Sequence, residues 1–259
     1  MGISACLLGQ KVRYDGGHKR DFFLTETLSR FVDWVPVCPE IEAGMGVPRE
    51  SVRLTGTAQG AHMIAEKTGK DWTSVMHRFA AVRTRELAPL NLSGYVFKKD
   101  SPSCGMEKVR VYSSRGVPAR SGRGLFAAAV MSKFPLLPVE EEGRLNDPAL
   151  RENFIERVFA YGRWQLTSAG TKSLTVLGQF HAAHKFLLLA HSERYYRQLG
   201  RLVADGKRRS LGSIYDRYGA LFMEALALRA TVKKHANVLE HMTGYFSQQL
   251  SPAERAELV

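Results

Sequence analysis

Apolar residues along the first half of the chain fall into short blocks separated by polar and turn-forming residues, and each block predicts an element. Gly2 to Leu8 is a compact apolar run and reads as a strand. Phe22, Phe23, Leu24, Leu28, Phe31 and Val32 place most of their bulk on one face of a helix over residues 22–34. Val35 to Cys38 is a short run ending at a proline, the pattern of a buried strand. Trp72, Val75, Met76, Phe79 and Val82 recur at spacings of three and four, which predicts a helix over 71–87. Gly94 to Lys98, Lys108 to Tyr112 and Leu136 to Val139 read as strands, and the Ala-rich stretch 124–134 as a helix. Strands alternating with helices imply parallel βαβ units.

The pattern changes after Glu140-Glu141-Glu142-Gly143. Asn146-Asp147-Pro148 is a helix-start signal, and most of the chain from there to Phe246 has helical period. Apolar blocks predict helices over 174–190, 192–204 and 211–245. The fold class expected is therefore α/β, an open, mostly parallel sheet domain over residues 1–145, followed by an all-α helical domain over 146–259. Ser251-Pro252-Ala253-Glu254 is a capping box with proline at the first helical position. The short run after it predicts further helix beyond Val259, so the second domain is expected to be truncated.

Charge sharpens this division. The 259 residues carry a formal charge of +12, with 37 Lys+Arg against 25 Asp+Glu. Residues 1–147 hold 21 basic and 16 acidic side chains, and residues 148–259 hold 16 and 9. A basic surface attracts phosphate backbones without reading sequence, while a solvated basic face without a partner is the plainer alternative. Apolar content of 44% excludes a disordered chain, and no apolar run is long enough to span a membrane. The N-terminus lacks the basic region and cleavage site of a signal peptide. An odd, widely spaced trio of cysteines is not a disulfide scaffold. A cytoplasmic protein is expected, with no membrane partner and no obligate protein partner.

Those three cysteines are the main chemical signal. Cys6 lies near the end of the first strand, Cys38 at the end of the second apolar run, and Cys104 in a loop after the strand over 94–98. In a parallel sheet the carboxyl ends of the strands share one edge, where ligands bind. The three thiols either converge there or are separate small buried hydrophobes. Zinc would want a fourth ligand and close CxxC pairs, and neither is present. Three thiolates on a [4Fe–4S] cluster would leave one iron open to a soft ligand such as sulfur.

Four motifs in order carry a resemblance. They are Ser4-Ala5-Cys6-Leu7-Leu8-Gly9, Val12-Arg13-Tyr14-Asp15-Gly16, Cys38-Pro39-Glu40 with Pro48-Arg49, and Ser101-Pro102-Ser103-Cys104-Gly105. Together they resemble the TudS-type thiouracil desulfidases over most of residues 1–135. Phe180-His181, His184-Lys185, Leu187 to Ser192 and Lys233 to Leu239 resemble the YbgA-type helical domain. The pair is similar to the RudS-type fusions, which join a desulfidase domain to an RNA-binding one and act on 4-thiouridine in tRNA.

The resemblance implies that Cys6, Cys38 and Cys104 hold a [4Fe–4S] cluster with one iron free. It implies hydrolysis of thiouridine to uridine and hydrogen sulfide, without net electron transfer. Glu40 is the first choice for general acid/base, with Glu42 second; a structural pairing of Glu40 with Arg13 or Arg49 is the alternative. Ser101 and Ser103 would orient water or the base carbonyl, or merely bond the loop backbone. Arg13, Tyr14, Asp15 and Arg49 would shape the pocket, and Lys98 and Lys99 would meet phosphate at its mouth. Arg163, Lys185, Lys207, Arg208, Arg209, Lys233 and Lys234 are candidates for RNA contacts, each alone also reading as an exposed helix charge. His181 and His184, three apart, read as core or RNA-facing rather than metal ligands. Two other functions stay open, a desulfidase of free thiouracil and a non-catalytic, metal-containing RNA-binding protein.

Overall fold

A computed structural model describes all residues except Gln59, Arg209, Ser247, Gln248, Gln249, Leu258 and Val259. The chain divides into two compact units, Met1–Phe154 and Ile155–Val259. The division falls inside a long helix rather than at residue 145. The first turns of that helix belong with the first unit: the Arg151 guanidinium lies 4.4 Å over the Phe23 ring, and its Nε donates to the Leu145 carbonyl.

In the first unit, four parallel strands form one sheet in the order β2 (Val35–Val37), β1 (Gly2–Ser4), β5 (Tyr95–Phe97), β8 (Val139–Glu141). The β1 and β5 strands are buried throughout, as expected of a parallel sheet covered on both faces. Helices α2 (Thr73–Leu87) and α3 (Leu125–Lys133) pack on each other and contribute the buried Met76, Ala80, Phe126 and Val130. Tyr95 stacks on Phe97 at 4.2 Å and meets Phe126 edge-on.

The single sheet expected from the sequence is in fact two. A second sheet runs β4 (Ala61–Ala65), β3 (Val52–Gly56), β6 (Val109–Tyr112), β7 (Pro118–Gly122), and only its central β3–β6 pair is parallel. The Lys108–Tyr112 run thus belongs to this second sheet. Its alternation, with Val109 and Val111 buried and Arg110 exposed, marks a sheet with one solvated face. The expected helix over 22–34 is also absent. One π-helical turn (Phe23–Thr27) and one 3-10 turn (Leu28–Arg30) stand there instead. The hydroxyls of Thr25 and Ser29 donate to the carbonyls of Asp21 and Leu24 and offer the backbone another set of partners. Phe22 and Phe31 remain 71% and 68% exposed.

The second unit is all helical: most of α4 (Pro148–Ala169), then α5 (Leu174–Ala183), α6 (Lys185–His191), α7 (Glu193–Ala204), α8 (Leu211–Ala227), α9 (Val232–Phe246) and α10 (Pro252–Glu257). The apolar run 174–190 breaks at His184 and the run 211–245 at Leu228, where the backbone leaves helical geometry. Ser173, Ser192 and Ser210 cap α5, α7 and α8 through their hydroxyls. Ser251 and Glu254 exchange the reciprocal bonds of the expected capping box.

An aromatic cluster fills the core of this unit. Trp164 stacks on Tyr218 and meets Phe180 edge-on, both at 5.2 Å. His181 bonds the Tyr218 hydroxyl and stacks on Tyr196. The Nδ1 of His184 faces the Phe180 carbonyl at 2.8 Å, so it must donate, while Nε2 accepts from Arg163. That fixes a neutral imidazole, in line with the lowered pKa that burial gives this ring.

Gly219 is required where Trp164 lies against α8: a Cβ there would stand 2.5 Å from the indole Nε1. Gly219→Ala should destabilise the helical unit by roughly 1–3 kcal/mol, read as a lowered melting midpoint by circular dichroism. An unchanged midpoint would mean that the indole can shift freely.

Candidate active site

The strand order reverses at β1: the chain passes from β1 out to β2, then returns to the other side at β5. Such a switch point opens a crevice beyond the carboxyl ends of the strands. Each cysteine follows one of the three strands there. Cys6 sits in the 3-10 turn Ala5–Leu8 directly after β1. Cys38 follows β2 and caps α1 (Pro39–Glu42). Cys104 lies in the loop between β5 and β6. All three line one cavity of about 520 Å³ in the first unit.

Local chemistry fixes each loop. The Cys6 carbonyl accepts from the Lys19 amide, which folds residues 10–18 back over the site. Ser101 Oγ accepts from the amides of Ser103 and Cys104 and holds the third loop in a tight turn. The N-terminal amides of α3 then bond that loop: Leu125 donates to the Pro102 carbonyl, and Phe126 and Ala127 to that of Ser103. Gly124 makes this approach possible, since a Cβ would lie 2.5 Å from the Ser103 carbonyl.

Glu40 ties the loops together. One carboxylate oxygen accepts from Ser103 Oγ at 2.6 Å. The other pairs with Arg49, whose guanidinium also donates to the Val12 and Gly46 carbonyls. The Glu40 and Arg49 side chains are only 13% and 7% exposed. Ser101 Oγ lies 3.0 Å from Ser103 Oγ, which makes a hydroxyl chain from the cavity to the carboxylate. Glu42 points elsewhere: it accepts from the Cys38 amide at 2.8 Å, pairs with Arg83 and does not line the cavity.

Arg13 and Tyr14 line the cavity, whereas Asp15 accepts from the Gly17 amide and stands 3.6 Å from Arg13. The Arg13 Nε is buried without a hydrogen-bond partner. Lys98 is not a free cation: its Nζ pairs with Glu142 at 2.5 Å, and Glu142 also accepts from the Lys99 amide. The Lys99, Lys19 and Arg110 side chains are at the rim. Lys19 and Arg110 were not evident from the sequence, because backbone pairing and the second sheet carry them there.

The thiols are shielded. Burial pushes the Cys6 pKa up to about 11, against the pull of Lys98 and Arg13, and raises Cys38 despite the amides of Ile41 and Glu40. Burial raises Cys104 further, against a hydrogen bond from Ser4. Among the described residues, no group of three or more His, Cys, Asp or Glu is arranged to hold one metal ion. Three soft donors around a roomy cavity, with no fourth cysteine in the sequence, fit a thiolate-bound iron–sulfur cluster better than zinc.

Of the basic residues singled out in the helical unit, Lys185 donates to the Tyr245 hydroxyl, Lys234 to the His191 carbonyl, and Arg163 to His184. Lys233 is exposed. Arg209 lies outside the described residues, as do the side chains of Lys207 and Arg208.

Over residues 1–142 the sequence matches a family described as 2-thiouracil desulfurase, and over 185–259 a family of unknown function, DUF1722. It is 32% identical over 111 residues to the uncharacterized protein YbbK of Bacillus subtilis, covering 40% of this chain and 71% of that one. It is 36% identical over 80 residues to the uncharacterized protein YbgA of Escherichia coli, covering 30% of this chain and 47% of that one. The chain thus spans about half the length of YbgA. Among solved structures, the [4Fe-4S]-dependent thiouracil desulfidase TudS aligns with a TM-score of 0.47 at 30% identity, covering 58% of this chain and 95% of that one. No helix among the described residues is long and apolar enough to cross a membrane.

In metal-free protein at about pH 7.5, iodoacetamide should label the part-exposed Cys38 first, and Cys6 and Cys104 roughly tenfold more slowly or worse. Peptide mass spectrometry over time reads this. Equal rates at all three would contradict the shielded geometry.

Proposed function

The chain belongs to the 2-thiouracil desulfurase family, and on that footing we propose that it removes sulfur from 4-thiouridine in tRNA, giving uridine and hydrogen sulfide. The observation that carries the reading is the convergence of Cys6, Cys38 and Cys104 in one cavity beside the Glu40–Ser103–Ser101 chain. The three thiolates would hold a [4Fe–4S] cluster, which supplies a Lewis-acidic iron for a soft thiocarbonyl sulfur when bound.

This chain's residues do the rest. The Arg13 side chain and the exposed Tyr14 ring form the wall against which a pyrimidine is held. Ser101 Oγ lines the cavity with Ser103 and Glu40 and orients the attacking water. The water's proton passes through Ser101 and Ser103 to the Glu40 oxygen that faces them. Glu40 then returns it toward the departing sulfur, so the thiocarbonyl and one water become a carbonyl and hydrogen sulfide. Arg49 holds the other Glu40 oxygen and fixes its orientation throughout.

Support for a polynucleotide rather than a free base comes from the rim and the second unit. Lys19, Lys99 and Arg110 surround the mouth, where phosphates flanking a flipped nucleotide would lie. Residues 148–259 add 16 basic against 9 acidic side chains.

Protein purified without oxygen should contain iron and sulfide and bleach the near-ultraviolet absorbance of 4-thiouridine in bulk tRNA. Iron-loaded protein that leaves this absorbance intact but turns over free thiouracil would reassign the substrate to the free base. Glu40→Gln should keep its iron and slow turnover by about 10²–10⁴-fold; an unchanged rate would remove Glu40 from the proton path. Cys104→Ser should lose iron and activity together, and activity without iron would defeat the mechanism.

A further inference from the structure

We propose that the solvent face of α7 is a docking surface for the phosphate backbone of a polynucleotide. The α7 helix is sharply divided. Leu199 is fully buried and Tyr195, Tyr196, Leu202 and Val203 are half-buried, whereas Arg194, Arg197 and Arg201 are exposed. The three arginines recur at spacings of three and four, so they form one stripe about 10 Å long on the outer face. With Gln198 and Glu193 they line an open groove of about 480 Å³.

This stripe differs from three other basic residues of the unit in what its charges do. Lys185, Lys234 and Arg163 are occupied by the unit's own hydroxyl, carbonyl and imidazole groups. Among the described residues, Arg194 and Arg201 form no ion pair. Arg197 has one, with Glu193 at 2.6 Å, where both side chains are about two-thirds exposed. A pair that open is screened and readily exchanged for a stronger anion. Arginine rather than lysine at all three positions supplies planar forks suited to bidentate phosphate contact. An anionic membrane fits poorly, because an interfacial helix must insert its apolar face and that of α7 is already in the core.

The proposal rests on the reading that the substrate is a polynucleotide, and the test separates the two. Binding of bulk tRNA to the full chain is measured across a salt series, with turnover of free thiouracil in parallel. Replacing Arg194, Arg197 and Arg201 together by Gln should weaken binding about 10–100-fold near 0.15 M salt. It should also lower the slope of log K against log salt by about 2. Turnover of free thiouracil should not change. The triple Lys variant should keep most of the slope, and Glu193→Gln should tighten binding about twofold or more, a gain that misfolding cannot produce. Neutralising Arg217 and Arg229 instead should change little. Wild-type affinity and slope in the triple Gln variant would overturn the α7 surface while leaving the substrate reading intact. Absence of tRNA binding by the wild type, with thiouracil turned over, would overturn both. Stripe-dependent binding to anionic vesicles or an acidic protein, without stripe-dependent tRNA binding, would also overturn the proposal.

Discussion

Because β1, β2 and β5 run in the same direction, the three segments that leave their carboxyl ends must emerge on one edge. Register makes the arrangement tight: Gly2 lies opposite both Val35 and Tyr95. Residues as far apart as Cys6, Cys38 and Cys104 therefore meet within one cavity, and no local motif of close cysteines is needed. An antiparallel β2 would have sent Cys38 to the opposite edge. Every other feature of the site, from the turn at Ser101 to the fold-back at Lys19, refines a placement that strand direction has already made.

Glu40 is the second level of that refinement. It joins the segment after β2 to the segment after β5 through Ser103, and reaches the 44–49 segment through Arg49. The guanidinium in turn holds the Val12 carbonyl from the segment after β1. One carboxylate and its arginine thus touch the connections of all three cysteine-bearing strands. Glu42, two residues on, is occupied by the Cys38 amide and Arg83. The two acids differ because a short helix turns adjacent carboxylates in different directions.

The α/β character and the two-part organisation were legible because each has a strong local signal, whereas the sequence left the cysteines open between one shared edge and three separate buried thiols. Continuous apolar runs marked β1 and β5, and the helix-start signal at Asn146-Asp147-Pro148 marked the change of texture. The second sheet was not legible. The residues of β7 are exposed except Gly122, so the strand exists through pairing with β6 and carries little pattern of its own. Helix breaks at His184 and Leu228 were hidden inside apolar runs. At the site, the partners of Glu40 and Lys98 are set by long-range packing, which periodicity does not encode. Basic residues adjacent in sequence, such as Lys207-Arg208-Arg209, stand out to the eye, yet a helix unites residues three and four apart. The arginines of α7 were visible by that rule alone.

The shielding of the thiols bears on how the protein comes to be loaded. Three thiolates facing one cavity would repel one another and open the crevice; three protonated thiols do not. With their pKa values raised by burial, the cysteines themselves add no charge to the cavity near neutral pH. Each sulfur that becomes a ligand must then give up its proton, so filling the site is an acid-releasing event, and acidity in the surroundings opposes it.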